Sequence, residues 1–158
     1  IRFEFNLKTR ILCQQLEKCI PNSKVAILCY DRQTNTVKSL ANPSICCTLL
    51  EHLFEHYNSN PVFCCTAGNC CCDIMILRFF EEPRWKPMLH FFDRMHVTSC
   101  WTIPMHRTAN KICTLAIFLN NNDDPSPSDF KLISEHKKQF NKWIRNFPAY
   151  LSNATLGS

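Results

Sequence analysis

Residues 99–119 read SCWTIPMHRTANKICTLAIFL, and this stretch decides the fold. Two apolar segments, 99–105 and 111–119, flank a polar segment at 106–110. Short apolar runs that are separated by a polar turn are typical of a β-hairpin. The second run is apolar at nearly every position, which indicates a strand buried on both faces. We therefore predict a hairpin whose second strand lies in the interior of a sheet.

Upstream of this hairpin, the sequence predicts two helices and another hairpin. Residues 5–20 carry apolar side chains at helical spacing and stop at Pro21, so we expect a first helix there. Residues 24–30 form a continuous apolar run, and the short segment 37–40 follows after a polar turn. This pattern predicts a hairpin with a central first strand. A second helix is expected over 45–57.

The remaining segments predict two strands and two helices. Residues 62–80 are largely apolar with one break at 67–69, which indicates two strands around a turn. A short helix is expected to begin at 81–83 and to reach Met95. Residues 126–129 read SPSD, a capping box with proline at the first helical position. This predicts a long final helix.

The predicted order is helix, two strands, helix, two strands, helix, two strands, helix. Because strand and helix do not alternate strictly, an α+β fold fits better than a doubly wound parallel sheet. We expect an antiparallel sheet of five or six strands flanked by helices. A chain of 158 residues, 46% hydrophobic, suffices for one domain with its own core. We assign that domain to 1–150 and a tail to 151–158, whose Gly157-Ser158 end is typical of an expression-vector remnant.

Composition excludes several classes of function. No apolar run approaches the ~18 residues of a membrane span, so no membrane partner is expected. The start Ile1-Arg2-Phe3-Glu4 lacks an initiator methionine and a signal-peptide pattern, which indicates a piece of a longer polypeptide. The net charge is +5, but the basic residues are dispersed, so nucleic acid is not expected as a partner. Only two glycines are present, which rules out glycine-rich phosphate loops.

The chain contains twelve cysteines, many of them in apolar segments. In such segments cysteine acts as a small buried hydrophobic residue. Neighbouring cysteines on a strand point to opposite faces, so the run 70–72 cannot converge on a single partner. We therefore predict a reduced, cytoplasmic protein rather than a disulfide scaffold.

Five segments, in register, resemble the GAF domain family. Residues 99–105, 111–118 and 125–133 are similar to the C-W-[ST]-x-P-I strand, the G-T-F-A strand and the P-x-x-x-E helix start of one subgroup. Upstream, CCTA at 64–67 and EPRW at 82–85 resemble that subgroup's C-G-T-A and D-P-x-W in order and spacing. The resemblance covers essentially the whole chain.

The resemblance implies a PAS/GAF-type sheet with N- and C-terminal helices packed together. It also implies a non-catalytic sensory or regulatory domain and not an enzyme. This subgroup accompanies GGDEF, EAL or histidine-kinase domains in bacterial signalling proteins, which implies a covalently linked output domain and a role such as cyclic-di-GMP signalling. Terminal helices of GAF proteins commonly pair across a two-fold axis. The stripe of Phe130, Ile133, Phe140 and Ile144 therefore implies a homodimer.

A small-molecule pocket between the sheet and the helix after Pro83 is a further implication of the resemblance. Cys100 and Thr102 are expected to face one way and Trp101 the other, because side chains alternate along a strand. The identity of the ligand or cofactor stays open, and in the alternative interpretation the aromatic side chains simply fill the core. The expected lining residues are Cys65, Phe80, Trp85, Phe92, Cys100 and Thr102.

Three positions depart from the family pattern. Cys65 and Cys113 stand at or near family glycines, and Arg78 stands where the family has an acid. A tight turn or a close backbone approach to a ligand that needs glycine is therefore not expected at these positions.

Metal chemistry is one alternative, because five cysteines lie within 64–72 and histidines stand at 52, 56, 90 and 96. Structural zinc sites usually show two pairs of ligands at C-x₂₋₄-C spacing. Only Cys65-x₄-Cys70 comes near this spacing, so no metal site is expected. Haem would need an axial ligand such as His90 or His96, and bilin attachment would need a Cys-His dipeptide, which the sequence lacks.

Thiol chemistry is the second alternative. Some GAF-fold enzymes reduce free methionine sulfoxide, and Cys100 or Cys65 would be the nucleophile in such an enzyme. A reactive thiol needs an electropositive, partly exposed setting, whereas most of these cysteines lie in apolar strands. A thiol- or metal-based redox sensor or reductase is therefore the runner-up interpretation.

Overall fold

The computed structural model describes residues 2–57 and 74–146. The first half of the described chain forms two helices and two strands. These are α1 (Arg2–Cys19), β1 (Ser23–Asp31), β2 (Thr36–Ala41) and α2 (Cys47–Tyr57). The second half forms three strands, a 3-10 helix and two α-helices. These are β3 (Met75–Arg78), the 3-10 helix Pro83–Met88, α3 (Leu89–Met95), β4 (Ser99–Arg107), β5 (Lys111–Leu119) and α4 (Pro127–Asn146).

The five strands form one sheet in the order β2-β1-β5-β4-β3, and every neighbouring pair is antiparallel. β5 is the middle strand, and all nine of its residues are buried. β1 lies beside it and pairs with it over nine residues. The predicted α+β fold with interior strands at 24–30 and 111–119 is thus confirmed.

Helices cover both faces of the sheet, and β5 shows how its side chains divide. Cys113, Leu115 and Ile117 belong to the core under α1 and α4. Ile112 and Phe118 belong to the core under α2, the 3-10 helix and α3. We call these sides the α1/α4 face and the α2/α3 face. The predicted alternation in β4 is also confirmed, since Trp101 lies in the first core and Cys100 in the second.

The terminal helices pack together on the α1/α4 face, as predicted. Phe5 of α1 and Phe140 of α4 are fully buried, and their ring centroids are 6.1 Å apart. At the start of α4, the Asp129 backbone N–H donates to Ser126 Oγ at 3.1 Å, and the Ser126 N–H donates to Asp129 Oδ2 at 2.8 Å. This reciprocal pair confirms the predicted capping box. Phe140 is core of its own chain, so the interpretation of the α4 stripe as a dimer contact is corrected at that position.

Two further elements differ from the prediction or lie outside it. The helix expected from 81–83 to Met95 is a 3-10 helix through Met88 followed by a short α-helix. Pro87 explains the change, since it has no backbone N–H to close an α-helical turn. The first of the two strands expected in 62–80, and the tail 151–158, lie outside the described residues.

β4 contains a bulge that reverses its facing pattern. Pro104 pairs with Thr114, but His106 pairs with the next residue, Cys113, so Met105 is an extra residue. Met105 joins the core of the α1/α4 face. His106 also turns towards that face, where its ring meets Asn141 of α4.

Candidate ligand-binding face of the sheet

The middle of the α2/α3 face is built from small side chains. Thr102 of β4 pairs with Ala116 of β5, which pairs in turn with Ala26 of β1. All three residues are buried. We define this row of short side chains as the floor of the candidate site.

One hydroxyl group on this floor, that of Thr114, has no hydrogen-bond partner among the described residues. Thr114 of β5 lies one step along the same side of the strand from Ala116 and is completely buried. Its Oγ1 atom has no hydrogen-bond partner in the part of the chain that the structure describes. Leaving such a group unsatisfied costs about 1–3 kcal/mol. Thr114 therefore offers a hydrogen bond to a polar atom of a molecule on this floor.

Thr102 places a second hydroxyl on the same face. It is fully buried, and its Oγ1 donates a long hydrogen bond of 3.4 Å to the Met75 carbonyl of β3. Diagonal neighbours on adjacent strands lie about 7–8 Å apart, so the hydroxyls of Thr102 and Thr114 are both within reach of one small ligand.

An aromatic cluster closes one side of this face. The rings of Phe79 and Phe92 stack with centroids 3.7 Å apart, and Trp85 meets Phe79 edge-on at 5.0 Å. The Trp85 indole N–H donates to Glu82 Oε2 at 2.8 Å, which satisfies its polar atom. These rings fill space against one another, as in the interpretation that treats them as core.

The predicted lining residues fall into three groups. Trp85, Phe92, Cys100 and Thr102 are all buried, and the first three belong to the core of the α2/α3 face. Phe80 is 51% exposed and stands apart from them. Cys65 lies outside the described residues.

Sequence reasoning missed Phe79 and Thr114. Phe79 and Phe80 are neighbours at the end of β3, so their side chains diverge, and Phe79 is the buried one. The signal for Thr114 was its two-residue spacing from Ala116 in a strand already predicted to be central. A polar residue at that spacing within an apolar run marks an inward-facing hydroxyl.

The thiol on this face is not activated. Cys100 is fully buried, and desolvation raises its pKa well above the usual value, although a hydrogen bond with the Ile117 backbone opposes the shift. A protonated thiol is a poor nucleophile.

The histidines considered as metal or haem ligands have other surroundings. His52 stacks on Phe91 with centroids 4.9 Å apart, and His90 lies 3.9 Å from the same ring. Within residues 2–57 and 74–146, no group of three or more His, Cys, Asp or Glu side chains is arranged to hold a metal ion. The cysteines at 64–72 lie outside these ranges.

A second concavity lies between β2 and α2, with a volume of about 300 Å³. Lys38, Asn42, Cys47 and Glu51 contribute its polar side chains. Asn42 Nδ2 donates to the Ile45 carbonyl at 2.8 Å, and its Oδ1 accepts from Ser39 Oγ at the same distance. The groove is therefore polar and internally hydrogen-bonded, unlike the floor around Thr114.

Comparison with solved structures places this arrangement among GAF domains. A GAF domain/HD domain protein from Geobacter sulfurreducens has a TM-score of 0.67 at 12% identity, over 92% of this chain and 94% of that one. A domain from a two-component sensor histidine kinase protein of Sinorhizobium meliloti has a TM-score of 0.62 at 11% identity, over 93% and 92%. The type II free methionine-R-sulfoxide reductase from Thermoplasma acidophilum has a TM-score of 0.57 at 14% identity, over 92% and 95%. These likenesses show that the chain has the GAF fold.

No family model matches the sequence, and no curated protein matches it at a significant level. None of the helices in the described part of the chain combines the length and apolar character of a membrane-spanning helix.

Proposed function

We propose that this chain is a non-catalytic sensory or regulatory GAF domain of a cytoplasmic bacterial signalling protein. The GAF fold supports this role, as do two structural neighbours, a domain of a sensor histidine kinase protein and a GAF/HD protein. In this proposal the domain is covalently linked to an output domain and binds a small molecule on its α2/α3 face.

The observation that carries the proposal is the Thr114 hydroxyl, which has no hydrogen-bond partner among the described residues. It lies on a floor of small side chains beside Thr102, in a fold whose sheet faces serve as ligand sites in many proteins. The fitting ligand is a small, largely apolar molecule with one hydrogen-bonding end. Trp85 and Phe92 form the apolar side of this environment.

Thr114→Val tests the ligand site. Native mass spectrometry of the freshly purified chain is expected to reveal a retained small molecule, and T114V is expected to lose it. Valine has the shape of threonine, so the folded domain should keep or slightly raise its melting temperature as an unsatisfied hydroxyl is removed. A variant that retains the same molecule as the wild type would contradict the assignment.

Thr9→Val is the matched control. Thr9 is also fully buried, but it lies on α1 and donates to the Asn6 carbonyl at 2.9 Å. T9V should lower stability, because it leaves that carbonyl without its side-chain donor, while retention of the small molecule stays unchanged.

The absence of catalysis is a separate part of the proposal. The raised pKa of Cys100 supports it, because this thiol stays protonated near neutral pH. Because a free methionine-R-sulfoxide reductase shares the fold, its reaction is the assay to use. With free methionine sulfoxide as substrate and thioredoxin as reductant, this chain should show no turnover. Measurable turnover that is lost in C100S would overturn this part.

We also propose that the domain forms a homodimer through α1. Leu7 and Ile11 are 46% and 41% exposed and lie one helical turn apart, so they form an apolar strip on the outer side of α1. Leu7→Glu should shift sedimentation from dimer to monomer without loss of helical signal. Gln14→Glu, which adds the same charge at an exposed polar position of α1, should leave the dimer intact.

A further inference from the structure

Two cysteines face each other across the middle of the sheet. Cys29 of β1 and Cys113 of β5 are direct partners in the antiparallel register. Both are in the thiol form, and both belong to the core of the α1/α4 face. Their side chains are joined by a hydrogen bond, and Cys29 keeps 5% of its surface exposed.

Charged and polar groups surround this pair on every neighbouring strand. Lys38 of β2 is the register partner of Cys29, and His106 of β4 is the register partner of Cys113. On the same face of the sheet, the next pair along β1 and β5 is Asp31 with Lys111. The Asp31 Oδ2 and Lys111 Nζ atoms are 2.6 Å apart and form a buried ion pair.

α4 fixes the histidine at the end of this row. Asn141 Nδ2 donates to the carbonyls of Met105 and Lys137 at 2.8 and 3.0 Å, which uses both of its N–H groups. Its Oδ1 must therefore accept from His106 Nδ1, at 2.8 Å. The row Lys38, Cys29, Cys113, His106 thus crosses four strands and is tied to α4 at one end.

The Cys29 thiol is distinguished from the other buried cysteines of the described chain by these neighbours. The hydrogen bond from Cys113 is the main cause that lowers the pKa of Cys29. Burial and the Asp31 carboxylate oppose this shift, whereas Lys111 and Lys38 add to it. Burial instead raises the pKa of Cys13 on α1 and of Cys100 on β4. Thiolate character and exposure together determine which cysteines react with peroxides, and Cys29 keeps 5% of its surface exposed whereas Cys13 and Cys100 keep none.

We propose that Cys29 and Cys113 form a redox-active dithiol that a hydroperoxide converts to a cross-strand disulfide. The Cys29 thiolate attacks one oxygen of hydrogen peroxide; an S–O bond forms, the O–O bond breaks, and the departing hydroxide takes a proton and becomes water. The Cys113 sulfur then attacks the Cys29 sulfenic acid. An S–S bond forms, the S–O bond breaks, and the second hydroxide leaves as water with the Cys113 proton. Two thiols lose two electrons in total, and one peroxide is reduced to two waters.

Strand geometry permits a disulfide between Cys29 and Cys113, but the bond is strained. Directly opposed residues of antiparallel strands have Cα atoms about 4.5–5.5 Å apart, within the ~4.4–6.8 Å range of disulfides. Their Cβ atoms lie about 4.5–5.5 Å apart, whereas a disulfide needs ~3.5–4.5 Å. Closure must therefore draw β1 and β5 together beneath α1 and α4. Strained disulfides are the readily reduced ones, which suits a reversible switch.

Peptide mapping tests the proposal on the wild-type chain. Reduced protein is treated with one equivalent of hydrogen peroxide, alkylated, digested and analysed by mass spectrometry. We expect a peptide pair linked through Cys29 and Cys113, 2 Da lighter than the sum of its thiol forms, that disappears on treatment with dithiothreitol. Oxidation confined to exposed cysteines such as Cys19 and Cys46, with Cys29 and Cys113 alkylated, would overturn the proposal.

Two variants sharpen this result. Cys113→Ser should stop the reaction at the Cys29 sulfenic acid, which dimedone then labels with a stable adduct. Cys13→Ser, which removes a buried cysteine of α1, should leave the linked peptide pair unchanged. If C113S does not fold, the peptide map of the wild-type chain still tests whether the Cys29–Cys113 disulfide forms, since it requires no substitution. A C113S chain that is folded by circular dichroism and gives no dimedone adduct on Cys29 would count against the first step.

Discussion

The two faces of the sheet are covered by helices of different construction. On the α1/α4 face, two helices of 18 and 20 residues pack through Phe5 and Phe140, and α4 begins with a complete capping box. On the α2/α3 face, the 3-10 helix and α3 have six and seven residues, and neither has a side-chain hydrogen bond at its N-cap. Long, capped helices hold a fixed scaffold, whereas short uncapped ones open at lower free-energy cost.

The two faces also differ in how their buried polar side chains are hydrogen-bonded. The α1/α4 face has its polar groups hydrogen-bonded or ion-paired, as His106 with Asn141 and Asp31 with Lys111 illustrate. The α2/α3 face instead carries the Thr114 hydroxyl, unpartnered within the described residues. In the function proposed above, the α2/α3 face is the one that would bind a ligand.

The largest expected effect is that of Phe140→Glu. Phe140 is fully buried against Phe5, so the variant places an unpaired charge in the core and should unfold the domain. Circular dichroism and thermal melting measure this directly. Leu7→Glu, on the exposed side of α1, is the comparison variant and should stay folded. A folded F140E chain would show that the α1/α4 face is not the fixed scaffold.

Asp31→Asn should lower the free energy of unfolding by about 3–5 kcal/mol, because it leaves the buried Lys111 ammonium without its counter-ion. Urea unfolding at neutral pH measures this loss. The isosteric control is Asn110→Asp, in the half-buried turn between β4 and β5. An equal loss in this variant would show that the hairpin is generally sensitive to charge.

The same pair predicts a dependence on pH. Burial alone would raise the pKa of Asp31, but the hydrogen bonds from Lys111 and the Gln33 backbone outweigh it, so the pKa is lowered. The stabilisation is therefore present above the unfolded value of ~3.9 and is lost as pH falls through the lower folded pKa. The stability of D31N should vary less with pH in this acidic range than that of the wild type.

Ser126→Ala should cost about 1 kcal/mol, the usual value of an N-cap. The substitution removes the acceptor of the Asp129 N–H at the start of α4. Chemical denaturation with and without the substitution checks this value. Ser134→Ala, at an exposed position within α4, is the control and should not lower stability.

The smallest structural disturbance is expected from Cys46→Ser, which should change reactivity and leave the fold intact. Cys46 is exposed before α2, where hydrogen bonds from the Leu49 and Thr48 backbone N–H groups lower its pKa. In a native thiol titration, Cys46 should react fast and Cys13 and Cys100 slowly. C46S should remove one fast equivalent, and an unchanged fast phase would assign it to another cysteine.

Much of the fold could be predicted from local pattern. The apolar runs of β1 and β5 identified the interior strands, and the SPSD segment located the start of α4. The split of the third predicted helix at Met88 was missed, since the effect of Pro87 depends on how the turn continues.

Less of the candidate site could be predicted. Trp85 and Trp101 are 1% and 2% exposed, so both rings are buried. Phe80 and Phe79 could not be distinguished by residue type, because only the geometry at the end of β3 decides which ring turns inward. The pairing of Cys29 with Cys113 depends on the strand register between residues that are 84 positions apart in the sequence, and no local pattern encodes that register.

The bulge at Met105 has a consequence for recognising related chains. If Met105 instead paired regularly with Cys113, His106 would pair with Ile112 and project to the opposite face, and Asn141 would have no ring to accept from. The bulge, His106 and Asn141 are therefore expected to be kept or lost together in related chains, although His106 and Asn141 are 35 positions apart in the sequence. A relative that keeps all three should keep the same angle between β4 and α4, and one that loses any of them is free to reposition that helix.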